Sequence, residues 1–300
     1  MREAGNGLIP GISRTDILDK AFPLMPAPEQ CRIVEHVDSL FAKLDEVKEK
    51  VQAVIDGFEL RKSAILYKAF TGELTGRWRK EHGVGLDSWM VAELKELSSA
   101  IGDGLHGTPV YSDLGEYFFI NGNNLGGKMI LIKSDTKKIN RSEYERYKVE
   151  LNESTVFVSI NGTLGKTSFY NNEPVVLGKS ACYINVNERL NKYFLRFFLC
   201  SKAFIDYANE NATGSTIKNL GLKAIRSLSI HLPSIEEQAE IVCILDGIFN
   251  KEQQVQKVAE VVLDQIDIMK KAILARAFRG ELGTNDPAED SVVDMLKKIL

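Results

Sequence analysis

One long stretch of this chain occurs twice without a gap: Glu29 to Leu74 reappears as Glu237 to Leu282, 208 positions later. Identity is concentrated at the ends. Glu29, Gln30, Ile33, Val34, Asp38 and Phe41 recur as Glu237, Gln238, Ile241, Val242, Asp246 and Phe249. Ala64-Ile65-Leu66, Ala69-Phe70 and Gly72-Glu73-Leu74 recur as Ala272-Ile273-Leu274, Ala277-Phe278 and Gly280-Glu281-Leu282. Between the ends the apolar spacing survives. Ile33, Val37, Leu40, Leu44, Val47, Val51, Val54, Phe58 and Ile65 step by fours and threes with Arg61 missing from the series. The second copy runs Ile241, Leu245, Ile248, Val255, Ala259, Val262, Ile266, Met269 and Ile273, interrupted at Glu252. This is the heptad seam of helices that pack by knobs into holes.

An apolar stripe at helical spacing is commonly the core face of an ordinary bundle. Length argues for more here: about 40 residues at ~1.5 Å each make a rod of ~60 Å, longer than a compact domain is wide. Such a rod needs a partner along its length. The segment between the copies can return the chain to its origin, so an antiparallel coiled coil of the two is the economical arrangement. Lys43, Asp45, Glu46, Lys48 and Glu49 fall mostly between seam positions and read as a solvated face.

Three hundred residues, 44% hydrophobic and 26% charged, fit a globular chain of about two domains. No apolar run approaches the ~20 residues of a membrane span, and the N-terminus lacks a signal peptide's pattern, so a cytoplasmic location is expected. Cys31, Cys182, Cys200 and Cys243 lack CxxC spacing. They read as buried small apolar residues and not as metal ligands or a disulfide framework.

The segment between the helices differs in character. A polar stretch from Gly76 to Gly83 leads to Trp89 and a short amphipathic turn, Val91 to Leu97. Up to Pro233 the chain is rich in Gly and Asn, with β-type runs at Tyr117 to Ile120, Met129 to Ile132, Thr155 to Ile160 and Pro174 to Leu177. One helix, Lys192 to Tyr207, breaks the series. The expected fold class is α+β: a mixed globular domain of about 145 residues flanked by the two long helices.

Chemical motifs are few. Asn161 to Thr167 ends in Gly-Lys-Thr after a strand, but a phosphate-cradling loop needs a glycine where Ile160 stands. A hairpin with glycines at positive φ is preferred. His36, His82, His106 and His231 share no ligand spacing, and no nucleophile triad or carboxylate pair stands out. Net charge is −3, so bulk electrostatics do not announce a nucleic-acid binder. Locally, Lys128, Lys133, Lys137, Lys138, Arg141, Arg146 and Lys148 concentrate between two strands, beside Ser134, Asn140 and Ser142. The cluster is either a solvated loop or a phosphate grip whose neighbouring polar groups reach base edges.

The signature Leu232-Pro-Ser-Ile-Glu-Glu-Gln238, its degenerate copy Leu24-Met-Pro-Ala-Pro-Glu-Gln30, and the helix ends Lys68-Ala-Phe-Thr-Gly-Glu-Leu74 and Arg276-Ala-Phe-Arg-Gly-Glu-Leu282 together resemble the DNA-specificity subunit of type I restriction-modification systems. The Asp286-Pro287 tail running into Val292 to Leu300 is similar to that family's C-terminus. Gly102-Asp-Gly-Leu-His-Gly-Thr-Pro109 with Tyr111, the Gly162-Thr-Leu-Gly165 loop and Gly214-Ser-Thr216 are similar, more loosely, to its target recognition domains.

The resemblance implies two recognition domains, each reading part of a split DNA site, held apart by paired conserved helices. It also implies no catalysis in this chain. Partner methyltransferase subunits bring S-adenosylmethionine and adenine methylation, this chain binding no cofactor or metal itself, and a motor-nuclease subunit joins them. Rigid spacing of two readers is how two weak contacts become one specific site.

The sequence departs from the family pattern in one respect. The 208-residue offset maps Gly7 to Met25 onto Ser215 to Pro233, so residues 1–25 read as the closing remnant of a first recognition domain. The expected order is then the first conserved helical region (26–83), one recognition domain (84–232), the second helical region (233–283), and a tail with a short helix (284–300). Such a chain reads one half-site of double-stranded DNA. It needs self-association or another specificity chain for a split site. DNA-binding candidates are His106, Thr108 and Tyr111 in the family-like loop, Asn161, Thr163 and Lys166 at a strand end, and Lys137, Lys138 and Arg141 as phosphate contacts. Two rivals remain: a degenerate coiled-coil scaffold that assembles without reading DNA, and an enzyme using the Gly162 to Thr167 loop.

Overall fold

The computed structural model describes residues 12–21, 23–288 and 292–299, so residues 1–11 and 22 of the expected remnant and 289–291 and 300 of the expected tail lie outside the described residues. In chain order the elements are α1 (Arg14–Leu18), α2 (Ala27–Asp56), α3 (Phe58–Phe70), α4 (Gly76–His82), β1 (Met90–Glu93), β2 (Ser98–Asp103), β3 (Tyr117–Ile120), β4 (Lys138–Ile139), α5 (Arg141–Tyr147), β5 (Thr155–Ser159), β6 (Thr167–Phe169), β7 (Val175–Leu177), β8 (Ala181–Val186), α6 (Lys192–Leu199), α7 (Lys202–Asn211), α8 (Leu222–Arg226), β9 (Ser229–Leu232), α9 (Ile235–Ala277) and α10 (Val292–Ile299). The chain divides into two compact units, Met1–Asp56 with Gln254–Leu300, and Gly57–Gln253. Among the described residues, no helix is long and apolar enough to cross a membrane.

In the first unit α2 runs antiparallel to the C-terminal half of α9: Lys48 Nζ reaches Asp267 at 3.3 Å, Lys270 pairs with Asp45, and Arg32 Nε donates to Thr284 O at 2.9 Å. The seam differs from the expected one at four positions. Val47, Val54, Val255 and Met269 are 41–48% exposed, and Lys48, Ile55, Gln256 and Lys270 are the half-buried residues instead. A helix of 3.6 residues per turn drifts against a strict 3.5 repeat, and each drift here moves the seam by one residue. Long stems make the shift tolerable: Lys270 Nζ lies 5.0 Å from the Phe41 ring centre.

In the second unit α3 and the N-terminal half of α9 pair through the two seam interruptions. Arg61, the gap in the first series, donates from Nε and Nη2 to the Glu252 carboxylate, the gap in the second, at 3.1–3.3 Å. The two irregularities thus compensate each other. The first long helix is not continuous: it breaks at Gly57, whereas α9 runs unbroken for 43 residues. Gly costs a helix interior about 1 kcal/mol against Ala, and here it marks the break.

Beyond α3, the polar stretch expected to lead out of the helix forms α4, which buries Arg79 against Glu237. The Glu237 carboxylate is 1% exposed and accepts from Arg79 Nη1 at 2.6 Å, Thr75 Oγ1 at 2.6 Å and Trp89 Nε1 at 2.8 Å. Gln238 is as fully used: Oε1 accepts from Asn191 N, and Nε2 donates to Arg189 O and Pro233 O. The Glu-Gln pair of the repeated motif is therefore an anchor at the start of α9.

The α+β domain is built on a four-stranded antiparallel sheet, β2-β8-β5-β6, a mixed sheet, β4-β3-β7, with β3 parallel to β7, and a β1-β9 pair. Phe157, Phe194 and Phe204 are among its largest fully buried side chains. The rings of Phe194 and Phe198 on α6 meet Phe70 of α3 edge to face, with centroids 5.3 and 5.2 Å apart.

Three local expectations are corrected. Lys192 to Tyr207 is two helices, because the Ser201 hydroxyl caps a new one by accepting from Phe204 N. Met129 to Ile132 makes only an isolated bridge, Met129 to Phe169: Ile130 is buried while Leu131 and Ile132 point outward, and Leu131 N is spent on Asn124 O. Val91 to Leu97 divides between β1 and a 3-10 turn, Leu94–Leu97.

The cysteines divide as well. Cys182 is buried, Cys200 half-buried, and Cys31 and Cys243 are exposed on their helices, against the expectation that all four are interior. Burial holds the Cys182 thiol far above the usual range. Under native conditions a water-soluble disulfide reagent at pH 8 is expected to modify Cys31 and Cys243 quickly and Cys182 only on unfolding; rapid native labelling of Cys182 would contradict the packing.

Candidate nucleic-acid interface

Strand direction places the sequence candidates. Because β2, β8, β5 and β6 alternate, with Asp103 opposite Cys182, Ala181 opposite Ser159, and Val158 opposite Thr167, the end of β2, the start of β8, and the β5-β6 hairpin lie at one end of the sheet. Backbone hydrogen bonds knit these segments together: Ile160 N to Ser180 O at 3.1 Å, Lys179 N to Leu105 O at 3.0 Å, and Gly178 N to Ile120 O at 2.8 Å. The 213–219 loop joins through Gly162 N to Lys218 O at 2.9 Å, with Asn219 exchanging backbone bonds with Thr213.

The hairpin is a self-bonded turn and not a phosphate loop. Ser159 Oγ donates to Thr163 O at 2.6 Å and accepts from Lys166 N at 2.9 Å, closing the tip on one hydroxyl. Gly162 and Gly165 have φ of +74° and +81°, as the hairpin reading expects. A Cβ at Gly165 would also lie 2.4 Å from Ile205 Cδ1. Thr163 is exposed at the tip, and Lys166 is half-buried with its stem beside Gly126. Asn161 is less available than expected, because its Nδ2 donates to Asn219 Oδ1 at 3.1 Å.

A second group forms along β4. Tyr111 bridges to Ile139, its ring centre lies 6.0 Å from that of Phe119, and Lys137 Nζ stands 5.9 Å from it. Lys138 Nζ is 6.0 Å from the Phe118 ring centre, and Arg141 opens α5 after the Asn140 cap. The structure therefore brings Lys137 beside Tyr111 and Phe119, while Lys138, the next residue, faces Phe118 on the other side of β3 and β4, and Arg141 follows at the start of α5. The 103–111 loop connects Tyr111 to the sheet end and carries exposed His106 and Thr108. His106 Nε2 is 2.7 Å from Asp103 Oδ2, and Val110 N donates to the buried Glu143 carboxylate at 2.8 Å, which ties the loop to α5.

Of the seven basic residues in the cluster, only Lys148 has a carboxylate partner among the described residues, Glu145 at 2.6 Å. Hydrogen bonding to Glu145 raises the Lys148 ammonium's pKa above its ordinary value. The others make no salt bridge among the described residues, although the charge of Arg141 acts on Glu145, and such a group of cations suits a polyanion. Sequence reading missed Lys179 and Lys218, which the fold delivers to the sheet end. Lys218 lay just past the Gly214-Ser-Thr216 run, whereas Lys179 had no local signal beyond following Gly178.

Residues 87–261, a segment that includes every one of these candidates, match the family described as the type I restriction modification DNA specificity domain. The chain belongs to that family. As a specificity-domain protein it is 25% identical over 299 residues to the type I restriction enzyme EcoBI specificity subunit of Escherichia coli, with 93% of this chain and 62% of that one covered. It is 27% identical over 280 residues to the EcoKI specificity subunit of Escherichia coli strain K12, covering 89% and 59%. Among solved structures, the HsdS subunit from Thermoanaerobacter tengcongensis superposes with a TM-score of 0.59 at 21% identity, covering 94% of this chain and 65% of that one, and shares the fold. The chain spans about three fifths of the length of the curated relatives it matches.

Proposed function

We propose that this chain is the DNA-reading subunit of a type I restriction-modification complex, that residues 84–232 read one half-site of double-stranded DNA, and that it has no catalytic role of its own. The observation that supports this reading is the basic segment at β4 and the start of α5, where Lys137 stands beside Tyr111 and neither it, Lys138 nor Arg141 makes a salt bridge among the described residues. Phosphate contacts from this segment would fix register, while Thr108, Thr163 and neighbouring loop groups present donors and acceptors to a groove.

The helical regions 26–83 and 233–283 serve as spacer and as docking surface for methyltransferase subunits, which carry S-adenosylmethionine, and the motor-nuclease subunit completes the assembly. Residues 12–25 correspond by the 208-residue offset to the closing part of a recognition domain, residues 284–300 follow the second helical region, and a split site requires a second reader. The complex works in the cytoplasm, where its DNA lies.

The test uses duplexes selected from a randomised pool. Lys137→Ala is expected to weaken binding to all bound sequences alike and to reduce the slope of log K against log salt by about 1. No sequence enrichment by the wild-type chain would favour a scaffold that no longer reads DNA. An unchanged salt slope would remove Lys137 from the interface.

A further inference from the structure

Beyond the end of the four-stranded sheet, Leu220 N donates to Ile160 O at 2.8 Å and Gly162 N to Lys218 O at 2.9 Å, so residues 218–220 pair antiparallel with residues 160–162. Asn219 also exchanges backbone hydrogen bonds with Thr213, at 2.8 and 2.9 Å, which closes residues 214–218 into a loop. The loop is held at both of its ends. Gly214 has φ of +88°, and a Cβ there would lie 2.3 Å from Ile217 O, so the backbone folds back on itself at a position that suits only glycine.

The tip of this loop carries one residue that turn chemistry does not ask for. Ser215 and Thr216 are exposed polar residues of the kind loops favour, whereas Ile217 is β-branched, apolar and 62% exposed. It belongs to none of the buried clusters and is not among the residues packed on them. A lone exposed isoleucine is ordinary on a protein surface. The mounting of this one is not. The Asn161 amide and Gly162 N tie the loop to the β5-β6 tip, which presents exposed Thr163 beside it.

Charge at this end of the sheet selects the partner. Lys166 and Lys179 make no salt bridge among the described residues, and Lys218 Nζ donates to the neutral Asn209 Oδ1. No Asp or Glu occurs in residues 159–166, 178–182 or 213–219. A surface of cations and hydroxyls without acids suits a polyanion better than an apolar protein face. The apolar group that double-stranded DNA exposes to a side chain is the thymine 5-methyl, which lies in the major groove, wide enough to admit a two-stranded β element.

We propose that Ile217 reads the 5-methyl group of a thymine in the major groove, with Thr163 and the hydroxyls of Ser215 and Thr216 on neighbouring base edges or phosphates. This contact presupposes the DNA-reading function proposed above. The same methyl group occurs on 5-methylcytosine, so a pool of duplexes without modified bases isolates thymine as its source.

The full chain is used to select duplexes from that pool, and the enriched site is expected to contain a fixed thymine. Deoxyuridine at that position removes the methyl and keeps the base pair, and wild-type affinity is expected to fall about fourfold, the worth of one buried methyl group. Ile217→Ala is expected to bind the thymine duplex more weakly and to show no further loss with deoxyuridine, whereas Ile217→Val keeps the discrimination. Urea unfolding of Ile217→Ala is expected to match wild type, because the side chain is exposed. If a sequence is enriched but deoxyuridine at each of its thymines in turn affects wild type and Ile217→Ala alike, the contact is overturned and the reading function stands. No enrichment at all overturns both. Enrichment confined to a pool carrying 5-methylcytosine overturns thymine as the source. A rise in 2-aminopurine emission within the site that Ile217→Ala abolishes would make Ile217 an unstacking wedge and overturn the methyl contact.

Discussion

Replacing Glu237 by Ala is expected to destabilise the unit that holds the α+β domain by about 3–5 kcal/mol, because it leaves the Arg79 guanidinium buried without its counter-charge. The loss is larger than that of one hydrogen bond. Thr75 Oγ1 and the half-buried Trp89 Nε1 lose their acceptor in the same step, while Arg79 keeps only the neutral acceptors Thr75 Oγ1 and Gly72 O. The repeat supplies an internal control: Glu29→Ala removes a similarly buried carboxylate that, among the described residues, receives one long hydrogen bond, and is expected to cost only about 0.5–1.5 kcal/mol. Trp78 and Trp89 are the only tryptophans and both lie in the second unit, so their emission under urea follows that unit alone. Amide exchange along α2 follows the other. Equal losses at the two sites would refute the account of Glu237 as the hub of the anchor.

Phe194→Ala is the second large effect, expected at about 3–5 kcal/mol by the same fluorescence measurement. Phe194 is fully buried, and its ring edge meets Phe70 at a centroid distance of 5.3 Å, so truncation opens a cavity between α6 and α3 and removes an aromatic contact. Phe194→Leu is expected to recover most of the loss, because it keeps most of the volume. DNA affinity of folded Phe194→Ala protein at low temperature is expected to stay near wild type, since Phe194 lies in the core and not among the loops. A loss of stability below 1 kcal/mol would mean that α6 is not the element fixing the domain to the helix.

Much of this architecture was legible in the residues. The gapless offset exposed both helical segments, and the β-branched and aromatic runs located β3, β5 and β7. The misplaced first glycine correctly turned Asn161 to Thr167 from a phosphate loop into a hairpin. What escaped was set by interactions that periodicity does not record. The Ser201 cap splits an apolar run that reads as one helix, and the seam drift at Val47, Val54, Val255 and Met269 follows from the mismatch between 3.6 and 3.5 residues per turn. Arg79 looked like solvated polar sequence because its partner, Glu237, lies far along the chain. In the candidate site, the charges of Lys137, Lys138 and Arg141 were visible in sequence, but the placement of Lys137 beside Tyr111 depends on the bridge from Tyr111 to Ile139 of β4. The engagement of Asn161 escaped for a related reason: its amide donates to Asn219, in a loop that only the fold brings near.

The hydroxyl of Ser159, which closes the β5-β6 tip, has a consequence for how such a protein changes over generations. The turn is held by one hydroxyl from within the strand, by backbone groups of Thr163 and Lys166, and by glycines at positive φ, and none of these ties involves the Thr163 side chain. That position can therefore be exchanged with little cost to folding. The frame stays fixed while the surface offered at its tip varies, so, on the proposed DNA-reading function, single substitutions there would alter target preference without stability having to be rebuilt each time.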